Sequence, residues 1–369
     1  MALESINPAT GETIETYDEM TAEEVKEVIT QVHDAWQAWH RTGFDERAER
    51  LRKAASLLRE RVDRYARLMA EEMGKPLDQG RSEIEKCAWV CEYYADHGES
   101  FLAAESVETD ASKSYVSFEP LGVVLAVMPW NFPFWQLFRF LAPALMAGNA
   151  GVLKHASNVQ GCALAVEDVI CEAGFPENLF RVLVISSDAV EQVIANPKIA
   201  AVTLTGSTGA GKAVAETAGK YLKKTVLELG GSDPYLILAD ADLEAATTIC
   251  VESRLINSGQ SCIAAKRFIV VDEVRRRFEA LFVSKMRRQK MGAPLEEEEI
   301  DLGPQARADL RDDLHEQVTK SIENGARLLC GGEIPEGEGA FYPPTVLTDV
   351  GPGMPAYDEE TFGPVAAII

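Results

Sequence analysis

The stretch Ala200-Ala-Val-Thr-Leu-Thr-Gly-Ser-Thr-Gly-Ala-Gly-Lys-Ala213 decides the fold. An apolar run at 200–204 passes through a glycine-rich turn into a helix. Such a turn is an anion cradle, because free backbone N–H groups collect at the positive end of the helix dipole. The unit is not isolated. Apolar runs at 123–128, 151–153, 179–185 and 200–204 alternate with helical stretches at 136–146, 160–173 and 188–195. That βαβ rhythm predicts a parallel, doubly wound, Rossmann-like sheet.

The turn by itself is chemically ambiguous. Gly206, Gly211 and Lys212 match a P-loop, but Ala213 lacks the hydroxyl that would hold Mg²⁺. Residues 236–240 could supply the strand and aspartate that follow in a P-loop nucleotide hydrolase. Dinucleotide phosphate binding is the second reading, and a helix entry without a ligand is the third.

Outward from this unit the texture changes twice. A second series of apolar runs follows Gly230, at 234–238, 268–271, 326–329 and 366–369. A boundary at Gly230 divides the chain into a domain at 1–229 and another at 230–369. Upstream, 21–105 reads as successive helices. Thr21 and Glu24 form a capping box ahead of Val25, Val28, Ile29, Val32, Trp36 and Trp39 at helical spacing. A second amphipathic run covers 46–73 and stops at Gly74-Lys75-Pro76. Residues 113–119 alternate as an exposed strand would. Residues 365–369 read as a buried strand in which the chain stops, so the second domain is expected to be incomplete at its C-terminal end.

Composition restricts the partners. The 369 residues carry 36 Lys+Arg against 59 Asp+Glu, a formal net charge of −23. Such a chain lacks the footprint for neutralising a phosphate backbone and is repelled by anionic membranes. No basic region followed by an apolar run opens the sequence, and no apolar stretch is long enough to span a bilayer. Seven cysteines form no CxxC pair. Their odd number favours reduced thiols in a cytoplasm.

Four further stretches could carry chemistry. Gly259-Gln-Ser-Cys262 places a cysteine after a glycine turn with Lys266 and Arg267 close behind, a setting that favours thiolate. A small buried hydrophobe is the bland alternative. In Leu227-Glu-Leu-Gly-Gly231, Glu228 ends an apolar run, a poor place for a charge; it is paired, or poised with a raised pKa, or simply exposed at a strand edge. In Met128-Pro-Trp-Asn-Phe-Pro133, Asn131 sits on a rigid turn where its amide could donate to a developing oxyanion. Turn formation alone would also explain it. Glu359-Glu-Thr-Phe-Gly-Pro364 reads as a loop.

Together these motifs resemble the aldehyde dehydrogenase family. Pro129-Trp-Asn-Phe-Pro133, Leu153-Lys154, Thr205-Gly-Ser207, Leu227-Glu-Leu-Gly-Gly231, Gly259-Gln-Ser-Cys262 and Glu360-Thr-Phe-Gly-Pro-Val365 fall in family order, from Ile6 to Ile369. The resemblance implies an aldehyde-dehydrogenase-like α/β fold. A doubly wound parallel-sheet NAD(P)-binding domain is followed by an α/β catalytic domain that is C-terminally incomplete. It implies that Cys262 attacks the aldehyde carbon while Asn131 and the Cys262 N–H hold the oxyanion. Hydride passes to NAD or NADP, leaving a thioester on Cys262 that water activated by Glu228 hydrolyses. Lys154 would reach the adenosine ribose and Ser207, beside Gly206, the pyrophosphate. Trp130, Thr208 and Leu229 would line the cleft, Glu360 would hold the nicotinamide ribose, and Phe362 would lie against the ring. Ser157 stands where NAD-specific relatives often carry Glu, so a 2′-phosphate is not repelled and NADP should be tolerated.

Substrate choice follows from Arg139. The helix at 136–146 is otherwise apolar, so an unpaired arginine there needs a reason. The chain resembles the shorter bacterial succinate-semialdehyde dehydrogenases, in which an arginine at this offset grips the substrate carboxylate bidentately. A structural arginine paired with an acid is the alternative. Ala264 stands where some members carry a second, redox-active cysteine, so disulfide control is not expected. The 113–119 arm would build a homo-oligomer with a C-terminal strand that this sequence lacks. The competing readings are a P-loop nucleotide hydrolase and a truncated, inactive scaffold. No metal ligand set, nucleic-acid partner or membrane contact is expected.

Overall fold

The computed structural model describes residues 2–297 and 299–369. The chain forms two compact units. One comprises Met1–Ser5, Glu15–Leu68 and Arg81–Leu229; the other comprises Ile6–Ile14, Met69–Gly80 and Gly230–Ile369.

The first unit is built on five parallel strands, β1 (Val123–Met128), β2 (Ala150–His155), β3 (Phe180–Val182), β4 (Ile199–Thr205) and β5 (Lys224–Glu228). Their order is β3-β2-β1-β4-β5. Strands β1 and β2 are almost wholly buried, which explains their unbroken apolar runs: a central parallel strand has both faces covered. Strand order reverses between β1 and β4, so the loops leaving these two strands open a crevice at their C-terminal ends.

This unit departs from expectation at three points. The run at 46–73 is two helices, α2 (Phe44–Glu60) and α3 (Val62–Met73), after α1 (Ala22–Trp39). Arg61 breaks the helical path with φ −116° and ψ 22°, and no glycine or proline marks the break. The expected strand at 113–119 shrinks to Tyr115–Val116, paired antiparallel with Glu105–Ser106 and exposed. The run at 179–185 keeps only three strand residues, because a short edge strand needs no more to complete the sheet.

The second unit carries β6 (Pro234–Ile237), β7 (Arg267–Val270), β8 (Arg327–Cys330), β9 (Thr345–Thr348) and β10 (Val365–Ile368), in the order β6-β7-β10-β9-β8. All neighbours are parallel except β8 and β9. Strand β10 lies between β7 and β9, and its side chains alternate. Ala366 and Ile368 enter one apolar cluster with Phe268, Phe278 and Phe282. Val365 and Ala367 enter another with Leu314, Val318 and Tyr342. A strand buried on both faces is the physical meaning of the apolar run at 365–369. Strand β9 carries no comparable signal, since Thr-Val-Leu-Thr follows two prolines.

This topology removes the P-loop reading. Residues 236–240 would have to supply a strand of the same sheet, yet Pro234–Ile237 is an edge strand of the second sheet, while β4 is flanked by β1 and β5. Among the described residues no helix is long and apolar enough to cross a membrane.

Candidate active site

In the first unit, three expected site segments leave the C-terminal ends of β1, β4 and β5. Asn131 sits on the turn after β1 and is 4% exposed. The turn is fixed from two sides. His155, at the end of β2, is fully buried with Nε2 3.0 Å from the Pro133 carbonyl, while its Nδ1 faces the Ala156 N–H at 2.9 Å. A carbonyl requires a donor and an N–H requires an acceptor, so the neutral Nε2–H tautomer is the one that fits. Burial holds this imidazole neutral, its pKa pushed down to about 4. From the other side, Glu83 accepts the Phe134 and Trp135 N–H groups, each at 2.9 Å. It thereby caps helix α5 (Trp135–Met146), preceded in the chain by α4 (Leu77–Phe101). A carboxylate at a helix N-terminus satisfies orphan donors and meets the positive dipole end.

The turn after β4 is a helix entry. Ser207 is the N-cap of α8 (Thr208–Lys220), preceded by α6 (Gln160–Glu172) and α7 (Val190–Ala195); its Oγ accepts the Ala210 N–H at 3.3 Å. Ser207 and Thr208 are exposed. Gly206 donates its N–H to the Glu228 carbonyl at 2.9 Å, tying this turn to the end of β5. A Cβ on Gly211 would come within 2.5 Å of the Leu229 side chain, which packs against α8 at this glycine. Lys154 is 8% exposed, 3.4 Å from the Ser187 hydroxyl, and burial lowers its pKa. Ser157 is exposed at the start of a single 3₁₀ turn. Trp130 is half-buried.

Arg139 and Glu228 correct the sequence reading. Arg139 on α5 is not unpaired: its guanidinium lies 3.2 Å from the Glu228 carboxylate. Glu228 is both paired, with Arg139, and exposed at the end of an edge strand.

The second unit holds Cys262, Glu360 and Phe362. Cys262 is half-buried and follows a turn of unusual backbone. Asn257, Ser258 and Gly259 all have positive φ, at 54°, 56° and 78°. Two of them carry a Cβ, at a cost of roughly 1–2 kcal/mol each. Tertiary bonds hold the turn. The Gln79 side-chain Oε1 accepts the Asn257 N–H at 2.7 Å, and Ser258 Oγ accepts the Gly303 N–H at 3.0 Å. Gln260 accepts the Ala306 N–H at 2.9 Å. Arg254, fully buried at the end of α9 (Leu243–Leu255), donates to the Gly259 carbonyl at 2.6 Å. Burial works against its charge and the nearby Glu360 carboxylate works for it.

Lys266, four residues after Cys262, is equally buried. It donates to Glu360 Oε1 at 2.6 Å, to the Gly231 carbonyl at 2.5 Å and to the Cys262 carbonyl at 3.0 Å. Burial lowers its pKa, and the bond to Glu360 opposes that. The expected thiolate-favouring lysine is therefore turned to two carbonyls and an acid. Arg267 is spent on the Ser232 carbonyl through two donors.

Sequence reasoning passed over His155, Glu83 and Arg254. A histidine directly after Lys154 at a strand end was the one available signal. Glu83 and Arg254 lie within helical runs whose composition marks neither.

The aldehyde dehydrogenase family model matches residues 1–369. A probable NADP⁺ succinate-semialdehyde dehydrogenase of Synechocystis is 49% identical over 366 residues, covering 99% of this chain and 80% of the relative. An NAD(P)⁺ succinate semialdehyde dehydrogenase of Escherichia coli is 47% identical, covering 99% and 79%. Among solved structures, a succinic semialdehyde dehydrogenase from Streptococcus pyogenes in complex with NADP⁺ superposes with a TM-score of 0.96 at 39% identity, covering 100% of this chain and 81% of that one. Over its full length, with its motifs seated on the strand ends and turns described above, this chain belongs to the aldehyde dehydrogenase family.

Proposed function

We propose that this chain oxidises succinate semialdehyde, or a closely related carboxylated aldehyde, to the acid with NADP⁺ or NAD⁺. The observation that carries the reading is the convergence of Asn131, the Ser207 turn and Glu228 on neighbouring strand ends, with Arg139 beside Glu228. The residues present fit a dinucleotide. The N-terminus of α8 offers backbone donors to a phosphate. Gly206 keeps open space at the turn, where an added Cβ would meet nothing closer than 3.7 Å. Lys154 and Ser157 would serve the adenosine ribose end, with no carboxylate at 157 to repel a 2′-phosphate. Ser207, Thr208, Trp130 and Leu229 would line the cleft, and Glu360 and Phe362 would serve the nicotinamide end. When bound, the cofactor accepts the hydride that leaves the substrate carbon.

Cys262 supplies the sulfur that attacks the aldehyde carbon, and the carbonyl oxygen becomes an alkoxide. The Asn131 amide and the Cys262 N–H donate to that oxygen. Loss of hydride converts the adduct to a thioester on Cys262. Glu228 then takes a proton from water as its oxygen attacks the thioester, and the sulfur leaves as thiolate. Glu228 is half-exposed, which gives it access to that water. Arg139 grips the substrate carboxylate through its two-pronged fork.

Seven free cysteines fit a cytoplasmic setting, and the exposed Tyr115–Val116 ribbon fits a homo-oligomer contact. An inactive scaffold is disfavoured by an intact Cys262, Glu228 and Asn131. The test is NADPH formation from succinate semialdehyde, with Cys262→Ser alongside. Activity in the wild type and its loss in C262S is expected; a folded wild type inert toward every carboxylated aldehyde refutes the reading. Arg139→Ala should raise KM for succinate semialdehyde at least about tenfold, the value of one charge-assisted pair, and leave KM for butanal within about twofold. Because Arg139 also pairs with Glu228, kcat is expected to fall for both aldehydes alike.

A further inference from the structure

We propose that Lys266 is a positioning residue that fastens the nucleophile's main chain and the Glu360 carboxylate to one point. The inference rests on the roles given above to Cys262 and Glu360. An ammonium has three donors, and here three acceptors on three separate segments meet it: Gly231, Cys262 and Glu360. The Lys266 side chain is 1% exposed and its ammonium lies 5.9 Å from the centre of the Phe362 ring.

Stability alone does not call for such a group. Burying an ion pair costs desolvation that an apolar residue of similar size would avoid. What a buried ammonium adds is direction, since each acceptor is held along its own N–H. The surroundings are shaped to receive the carboxylate. A Cβ on Gly230 would come within 2.0 Å of Glu360 Oε2, so a side chain there would displace the acid from the position it occupies. The paired glycines of Leu227-Glu-Leu-Gly-Gly231 thereby serve this knot, one by yielding space and the other by offering its carbonyl. Lys266 stands at the entry to β7, and its own carbonyl accepts the Ala367 N–H of β10 at 3.2 Å, so its stem is anchored in the sheet. Removing the ammonium frees the Glu360 carboxylate and the Cys262 carbonyl together.

A double-mutant cycle on the full chain tests this, with Lys266→Met, Glu360→Gln and the pair. NADP⁺ affinity is read from tryptophan fluorescence. Cys262 reactivity is read from its alkylation rate by iodoacetamide, with the site located by peptide mass spectrometry. Each single variant should weaken NADP⁺ binding about tenfold, the loss of one charge-assisted bond. The double variant should be no weaker than the worse single by more than about twofold, because Lys266 acts on the cofactor through Glu360. K266M should also slow Cys262 alkylation about tenfold, while E360Q changes it by less than about threefold. Additive losses in the double variant, or unchanged alkylation in folded K266M, would overturn the proposal. Should K266M not fold, Lys266→Gln, which keeps two donors but no charge, is measured instead: smaller losses of NADP⁺ affinity and of alkylation rate are expected, and no change in either overturns the proposal. A wild type that binds no NADP⁺ refutes the functional reading instead, and the alkylation rates then decide the role of Lys266 alone.

Discussion

Two turns of this molecule have opposite construction. The Gly206–Ser207 turn obeys local rules: an apolar strand, a glycine, a serine N-cap and a helix. Each step is favourable by itself. The Asn257–Gly259 turn goes against local preference, with three consecutive residues at positive φ. It persists because partners far along the chain hold it: Gln79 accepts the Asn257 N–H, the Gly303 N–H donates to the Ser258 hydroxyl, and the Ala306 N–H fixes Gln260 just beyond it. The first leaves backbone N–H groups of a helix entry open to the surface. The second aims the cysteine that follows it. Strain held by tertiary bonds is how a fold fixes one side chain against the averaging of a flexible loop.

The sharpest way to break that contrast is Gly259→Ala. An alanine would need φ near 78°, and its Cβ would lie 2.2 Å from the Gly363 backbone. The cost should be roughly 2–5 kcal/mol, strain plus overpacking, measured by denaturant unfolding, with Cys262 alkylation slowed in the surviving fold. An effect below about 1 kcal/mol would mean that the turn relaxes freely and is not held by its surroundings.

Acid provides the next test. His155 sits at about 4 in the folded chain against an ordinary 6.5, because burial disfavours its charged form. The unfolded chain takes up this proton first as pH falls. Stability present above about pH 6.5 is therefore lost progressively down to about pH 4, by about 3 kcal/mol at most. His155→Gln should flatten that part of the stability profile, read by urea midpoints across the range. An unchanged profile would assign the acid sensitivity to other groups.

The smallest effect belongs to the regular turn. Ser207→Ala should cost about 1 kcal/mol, the value of one N-cap, and weaken NADP⁺ binding modestly. If S207A matched G259A in cost, the two turns would not differ as argued.

Much of this was legible because it is local. Apolar runs and helical spacing marked four strands of the first sheet, since buried parallel strands are mostly apolar; the exposed edge strand at Lys224–Glu228 has no such pattern. The motifs located Asn131, Ser207, Glu228 and Cys262. The break at Arg61 was not legible, because it carries no breaker residue. Arg139 read as unpaired because its partner lies 89 positions later, at Glu228, and spacing carries no information at that range.

The sequence by itself determined the strand–turn–helix units, the family and the positions of its motifs, because these depend on residue types and short spacing. The tertiary structure alone decided the rest. Glu83 caps a helix 51 positions away, Lys266 faces a carboxylate 94 positions away, and Gly230 makes room for that acid. Burial turned these polar groups toward one another, since a charge removed from water must find its partner wherever the fold has placed it.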